Sequence, residues 1–169
     1  MKKDNIILIG MPGCGKSTIG VVLAKAMGYD FLDSDIVIQK EKSATLEELI
    51  DEYGTGGFND IENEINSKID IYKTVLATGG SVVYGKEAME HLKSIGIVVY
   101  IKLSCDAIER RLGNFRERGI SIKEDQTLED LFEERKPLYE KYADMIIDTS
   151  GLQIREAMAE IKRRVLEVM

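Results

Sequence analysis

Eight residues near the start of the chain, Gly10-Met11-Pro12-Gly13-Cys14-Gly15-Lys16-Ser17, leave few folds open to it. They match G-x-x-x-x-G-K-[ST] at each fixed position, between the apolar run Ile6–Ile9 and a helical pattern, which is the context this motif requires. Glycine is conformationally costly, so its concentration here needs a reason. A loop that curls around a polyphosphate must point successive backbone amides inward, and side chains would block that approach or its backbone angles. Gly13, Cys14, Gly15, Lys16, Ser17 and Thr18 are therefore the candidate phosphate-binding residues. In such a loop Lys16 would reach the β- and γ-phosphates of a nucleotide, Ser17 would coordinate Mg²⁺ through its hydroxyl, and the helix start adds partial positive charge.

The rest of the chain repeats one beat. Ile6–Ile9, Phe31–Leu32, Val75–Ala77, Ile97–Leu103 and Met145–Ile147 read as short strands, each followed by a longer amphipathic segment. That alternation predicts an α/β, three-layer fold: a five-stranded parallel sheet with helices on both faces. Thr45-Leu46-Glu47-Glu48 and Thr127-Leu128-Glu129-Asp130 carry the capping-box pattern at helix starts. Lys86–Ile95 has a helical stripe ending at Gly96, a candidate C-cap, and Leu152–Val168 reads as the terminal helix. At 169 residues one domain spanning 1–169 is expected. Between Gly113 and Gln126 periodicity gives way to polar and charged residues flanked by glycine, which predicts a mobile lid over approximately 113–126.

Composition excludes several classes. A net charge of −7 opposes a general nucleic-acid or anionic-membrane surface, because both are polyanions. Two cysteines, Cys14 and Cys105, cannot build a disulfide framework, and no cleavable leader follows Met1, so the cytoplasm is the expected compartment. No apolar run approaches a membrane span.

Three further segments carry chemistry. Asp33-Ser34-Asp35 closes the second strand, at the edge where ligands bind in open parallel sheets; the pair suits Mg²⁺ water and an attacking hydroxyl, or alternatively a helix cap. Thr78-Gly79-Gly80-Ser81 closes the third strand and suits either a close backbone approach to ligand or a tight turn. Arg135-Lys136-Pro137-Leu138-Tyr139 lies in a helical pattern that Pro137 is expected to kink. His91, the single histidine, and Cys105 read as structural, whereas Cys14, inside an anion-binding loop, reads as a reactive thiol whose alkylation blocks ATP.

With "GMPGCGKSTIG", "FLDSD", "ATGGSVV" and "ERKPLYEKYAD" in this order, the chain resembles the shikimate kinases over nearly its whole length. The resemblance implies a nucleoside-monophosphate-kinase-like fold, a P-loop, ATP and Mg²⁺ as cofactors, a small-molecule acceptor and a monomer. Carried over position by position, it implies that Lys16 and Ser17 contact phosphate and Mg²⁺, and that Asp33 is associated with the metal. Asp35 would hold the acceptor hydroxyl as base. It further implies that Gly79, Gly80 and Arg135 contact the acceptor, Arg135 through its carboxylate, and that Arg111 lies near adenine. Three positions depart from the family pattern. Asn59, after Phe58, stands where the family has a carboxylate-binding arginine; Ser81 replaces a third glycine. The lid reads Arg116-Glu117-Arg118-Gly119-Ile120, so that Arg116 and Arg118 are both candidates for its catalytic cation. Loss of one charge-assisted contact is worth about 1.5–3 kcal/mol, enough to weaken binding tenfold or more. The leading expectation is phosphoryl transfer from ATP to the 3-hydroxyl of shikimate. The neutral Asn59 and Ser81 motivate an alternative acceptor, another polyol, sugar or hydroxy acid. The alternative of another class is a nucleotide-binding regulator without transfer activity.

Overall fold

The computed structural model describes residues 3–114 and 118–169. Among these, five parallel strands form one sheet: β1 (Asn5–Ile9), β2 (Asp30–Asp33), β3 (Thr74–Ala77), β4 (Gly96–Lys102) and β5 (Met145–Asp148). Their order is β2-β3-β1-β4-β5, with Ile7 of β1 aligned to Leu76 on one side and Val98 on the other. All residues of β1 and β3 are buried, so both sheet faces are covered, and the apolar runs are continuous rather than alternating. Seven α-helices complete the described chain: α1 (Lys16–Met27), α2 (Ser34–Lys42), α3 (Leu46–Asn66), α4 (Lys86–Ile95), α5 (Cys105–Leu112), α6 (Leu128–Tyr142) and α7 (Ile154–Val168). Helix α1 packs against α7 and under β1–β3, while α4 packs against α3, β1 and β4.

Each strand lies within a residue or two of its expected place, as do the helices. Both expected capping boxes form: Thr45 with Glu48, and Thr127 with Asp130. A third, Gln153 with Glu156, starts α7 two residues later than its stripe suggested. Gly96 does follow α4, but in extended backbone, because it is already the first residue of β4. Helix α6 runs through Pro137 without a break. Helix α3 is interrupted at Gly54, whose φ of 71° is not helical; the turn re-aims the half carrying Phe58, Asn59 and Glu62.

The topology decides where a ligand can sit. The chain leaves β1 for β2 and returns through β3. It then crosses to β4 on the other side of β1. Connections therefore diverge at the C-terminal end of β1, and the crevice so formed receives the loop at 10–15.

Candidate active site

Three cavities lie in a row beyond the C-terminal strand edge. The central one, about 220 Å³, is lined by Gly13, Gly15, Lys16, Ser17, Thr18, Asp35, Thr78 and Gly79 among others. The loop keeps its cradle shape because Gly13 and Gly15 hold φ of 77° and 101°, the left-handed region closed to most side chains. Lys16 is buried and folded back, its Nζ donating to the carbonyls of Gly10 at 2.8 Å and Met11 at 2.9 Å. A buried ammonium held by two neutral carbonyls and the Cys14 sulfur at 3.8 Å is ready to exchange them for phosphate oxygens. Cys14 is 1 % exposed, its sulfur packed beneath the loop against Lys16 Nζ, so the thiol is screened from reagents, against the expectation of a reactive group. Arg111 on α5 donates from Nη1 toward the carbonyls of Gly13 and Cys14 at 3.5 and 3.4 Å. It also lines the neighbouring cavity of about 400 Å³ with Gly13, Thr18, Thr149, Leu152 and Ile154.

Asp33 caps a helix and also meets the phosphate loop. One carboxylate oxygen caps α2 by accepting from the Asp35 amide at 2.9 Å, and the other accepts from the Ser17 hydroxyl at 2.7 Å. A hydroxyl and a carboxylate at hydrogen-bond distance beside a phosphate cradle are the hard oxygen donors that Mg²⁺ takes alongside nucleotide phosphates and water. No group of three or more His, Cys, Asp or Glu able to hold a metal by itself occurs among the described residues.

The third cavity, about 80 Å³, brings together residues far apart in sequence: Asp35, Phe58, Glu62, Gly79, Gly80, Ser81, Arg118, Ser121 and Arg135. Arg135 is wholly buried on α6. Its Nη2 donates to the Ser121 carbonyl at 2.6 Å and its Nε to the Tyr84 hydroxyl at 3.4 Å, while its guanidinium lies over the Tyr84 ring. Tyr139, one turn further along, donates to the Gly80 carbonyl at 2.6 Å and stacks on Tyr100, fixing the glycine turn to α6. Ser34 accepts from the Gly79 amide at 3.3 Å and ties that turn to α2. Asn59 is not a free wall group: its Oδ1 accepts from the Ser121 hydroxyl at 3.0 Å, linking α3 to the segment that closes the cavity. Arg118 is exposed at the rim, and Arg116 lies outside the described residues.

Charge is distributed unevenly in this cavity. Burial, with repulsion from Asp33 and against attraction to Lys16, pushes the Asp35 carboxyl up to about 6. Burial pushes Glu62 further, to about 7, despite the Ser81 hydrogen bond, with Asp35 adding repulsion and Arg135 and Lys16 opposing. A carboxylate with its value near neutrality beside a cleft is a mark of a reactive site.

Reading residues one segment at a time misses Glu62, Ser34, Tyr84, Ser121 and Tyr139. A signal existed for Glu62: it stands four residues after Phe58 and three before Ile65, on the stripe that buries α3, where a carboxylate is out of place. Ser121 and Tyr84 had none, since only the fold brings them to Arg135.

Comparison with known proteins bears on the family and the fold. A family model described as shikimate kinase matches residues 12–166. A shikimate kinase of Thermodesulfovibrio yellowstonii is 39% identical over 160 residues, covering 93% of this chain and 92% of its own. One of Alteromonas mediterranea is 40% identical over 163 residues, covering 95% of each. Among solved structures, a shikimate kinase from Acinetobacter baumannii in complex with shikimate aligns with a TM-score of 0.89 at 33% identity, over 97% of this chain and 93% of that one. A deoxyadenosine kinase from M. mycoides, 13% identical, shares the fold alone, with a TM-score of 0.67 over 98% and 100% of the two chains.

Proposed function

The chain belongs to the shikimate kinase family, and from that premise we propose that it transfers the γ-phosphoryl group of ATP to the 3-hydroxyl of shikimate. One observation carries the assignment of the site: Pro12, Asp35, Gly79 and Gly80 line both the phosphate cavity and the smaller pocket beside it. Donor and acceptor thus share a wall, and Asp35 stands on it.

In this reading the adenine takes the cavity lined by Arg111, and the polyphosphate takes the loop amides. Lys16 exchanges the carbonyls of Gly10 and Met11 for β- and γ-phosphate oxygens. Ser17 and Asp33 would hold Mg²⁺, which neutralises charge on the phosphates when bound. Arg135 meets the carboxylate of shikimate at the far end of the pocket. Asp35 accepts a hydrogen bond from the 3-hydroxyl, orients its oxygen toward the γ-phosphorus and receives its proton as the O–P bond forms. Its raised value, about 6, makes it a stronger base than an ordinary carboxylate while leaving it ionised at neutral pH. Arg118 or Arg116 supplies the cation that closes over the transferring group, and closure excludes the water that would otherwise hydrolyse ATP. A monomer acting in the cytoplasm, without nucleic-acid or membrane partners, belongs to the same proposal. Among the described residues no helix is long and apolar enough to cross a membrane.

Coupled ADP release with Mg-ATP, with and without shikimate, tests the reading, with Lys16→Ala as the blank. Shikimate-dependent turnover lost in the variant is expected. ATP binding without such turnover would refute the named acceptor and leave the phosphate site standing.

A further inference from the structure

The buried cation of the acceptor pocket has no direct counter-ion. Arg135 has no exposed surface, and among the described residues no carboxylate stands at ion-pair distance from it; Glu62 attracts it only from further away. Charges so buried are normally paired. Glu134 precedes it on α6, but consecutive helical residues do not face each other. Tyr84, from the short turn Val82–Tyr84 that packs on α6, stands between the two. Its hydroxyl donates to Glu134 Oε1 at 2.6 Å and accepts from Arg135 Nε at 3.4 Å, and its ring centre lies 5.3 Å from the guanidinium carbon, within cation–π range. A phenol has one proton and spare lone pairs, so it meets both neighbours at once. Burial, and then the Glu134 hydrogen bond, hold its acidity below the ordinary and keep that proton in place. Glu134 Oε2 in turn accepts from Gln126 Nε2 at 2.9 Å, and the Ser121 carbonyl takes Arg135 Nη2. Nη1 lies on the Gly80 side, where an added Cβ would stand 2.9 Å from it; Gly80 and Arg135 both line the acceptor pocket.

We propose that Tyr84 is a positioning residue for the acceptor's carboxylate: it fixes Arg135 without neutralising it, passing the counter-charge of Glu134 through one hydroxyl and so keeping the guanidinium's ion-pairing capacity for the acceptor. The inference rests on the reading above, in which Arg135 meets the carboxylate of shikimate. A carboxylate bound directly to Arg135 would have to be displaced or shared when the acceptor arrives. A neutral phenol and a carbonyl orient the guanidinium plane and leave its charge uncancelled, and a carboxylate needs that plane in the right orientation for a two-pronged contact. The attraction of the Tyr84 ring for the cation is not lost when the acceptor binds. Orientation matters more here because Asn59, standing where the family pattern has a second arginine, is engaged with Ser121. One buried guanidinium then does what two would share. Tyr84 is not among the residues lining the pocket and acts through Arg135.

The test measures kcat and KM for shikimate, KM for ATP, and the Ki of the neutral methyl ester of shikimate as a competitor, in the wild type, Tyr84→Phe and Tyr84→Leu. Tyr84→Leu, which loses ring and hydroxyl, is expected to raise the KM for shikimate about tenfold, the size of one charge-assisted contact. Its kcat, its KM for ATP and its Ki for the ester should stay within about twofold of the wild type, so that the preference for the charged acceptor narrows. Tyr84→Phe keeps the ring and loses the relay to Glu134; its KM should lie between the other two, the partial rescue expected of the conservative variant. An unchanged KM for shikimate in Tyr84→Leu overturns the proposal. So does an equal loss for shikimate and its ester, or a KM for ATP that rises in step, since each would mark general damage to the fold. A wild type that binds ATP and does not turn over shikimate overturns the parent reading, and this one falls with it.

Discussion

Replacing Glu62 by glutamine should stabilise the ligand-free protein, and should do so only above acidic pH. The folded structure raises this carboxyl from its ordinary 4.5 to about 7, chiefly by burial. The folded state therefore holds the proton more tightly than the unfolded chain does, and stability falls as pH rises between those two values. Below about 4.5 both states are protonated and the penalty is absent; above about 7 it is complete. A shift of this size corresponds to about 3 kcal/mol at 1.4 kcal/mol per unit. Glutamine keeps the Ser81 hydrogen bond, cannot ionise, and places an amide donor toward Asp35, so it removes the penalty without opening a cavity. For a chain of this length the gain at pH 8 is roughly 6–12 °C in Tm. Thermal unfolding of both proteins without ligand, at pH 5, 6, 7 and 8, measures it. The gap should be small at pH 5 and widen to its full value at pH 8. Equal stability at pH 8, or a gap independent of pH, would refute the claim that the fold holds the charge of Glu62 at a cost.

Other outcomes follow from the same contacts. Lys16→Ala should abolish phosphoryl transfer in the coupled assay, since it removes the buried ammonium that the loop carbonyls of Gly10 and Met11 hold beside the phosphate cavity. The kcat/KM for shikimate should climb as pH rises through about 6, because Asp35 accepts from the hydroxyl best when ionised; Asp35→Asn should lower it by on the order of 100-fold or more and remove that limb of the profile. Gly79→Ala should raise the KM for shikimate far more than that for ATP, because the new methyl would stand 2.5 Å from Glu62 Oε2 and 2.7 Å from Asp35 Oδ1. Tyr139→Phe removes the donor to the part-buried Gly80 carbonyl and should cost about 1 kcal/mol in urea unfolding.

The sheet and the phosphate loop were legible in the sequence because their causes are local. Strands buried on both faces must be continuous apolar runs, and Val75–Ala77 or Ile97–Leu103 can be little else. The loop advertises itself through glycines whose backbone angles follow from its task. Helix boundaries were visible wherever a capping hydroxyl and carboxylate stood three residues apart. Gly96 is legible as the residue that caps α4, whereas local rules do not say that the next strand begins on the same residue. Asn59 was legible as a departure and illegible as a contact, since its partner Ser121 is 62 residues away.

By itself, then, the sequence determined the order of elements, the polyphosphate cradle and the two aspartates at the edge of β2, all features written within a few consecutive residues. Tertiary structure alone decided the acceptor pocket. Asp35, Glu62, Gly79 and Arg135 come from α2, α3, the turn after β3 and α6, and only packing brings them together. It also decided their chemistry, because the values of Asp35 and Glu62 depend on how much water the fold removes and which charges it leaves facing them. A residue type states what a group can do; the burial that makes it do so is a property of the assembled molecule.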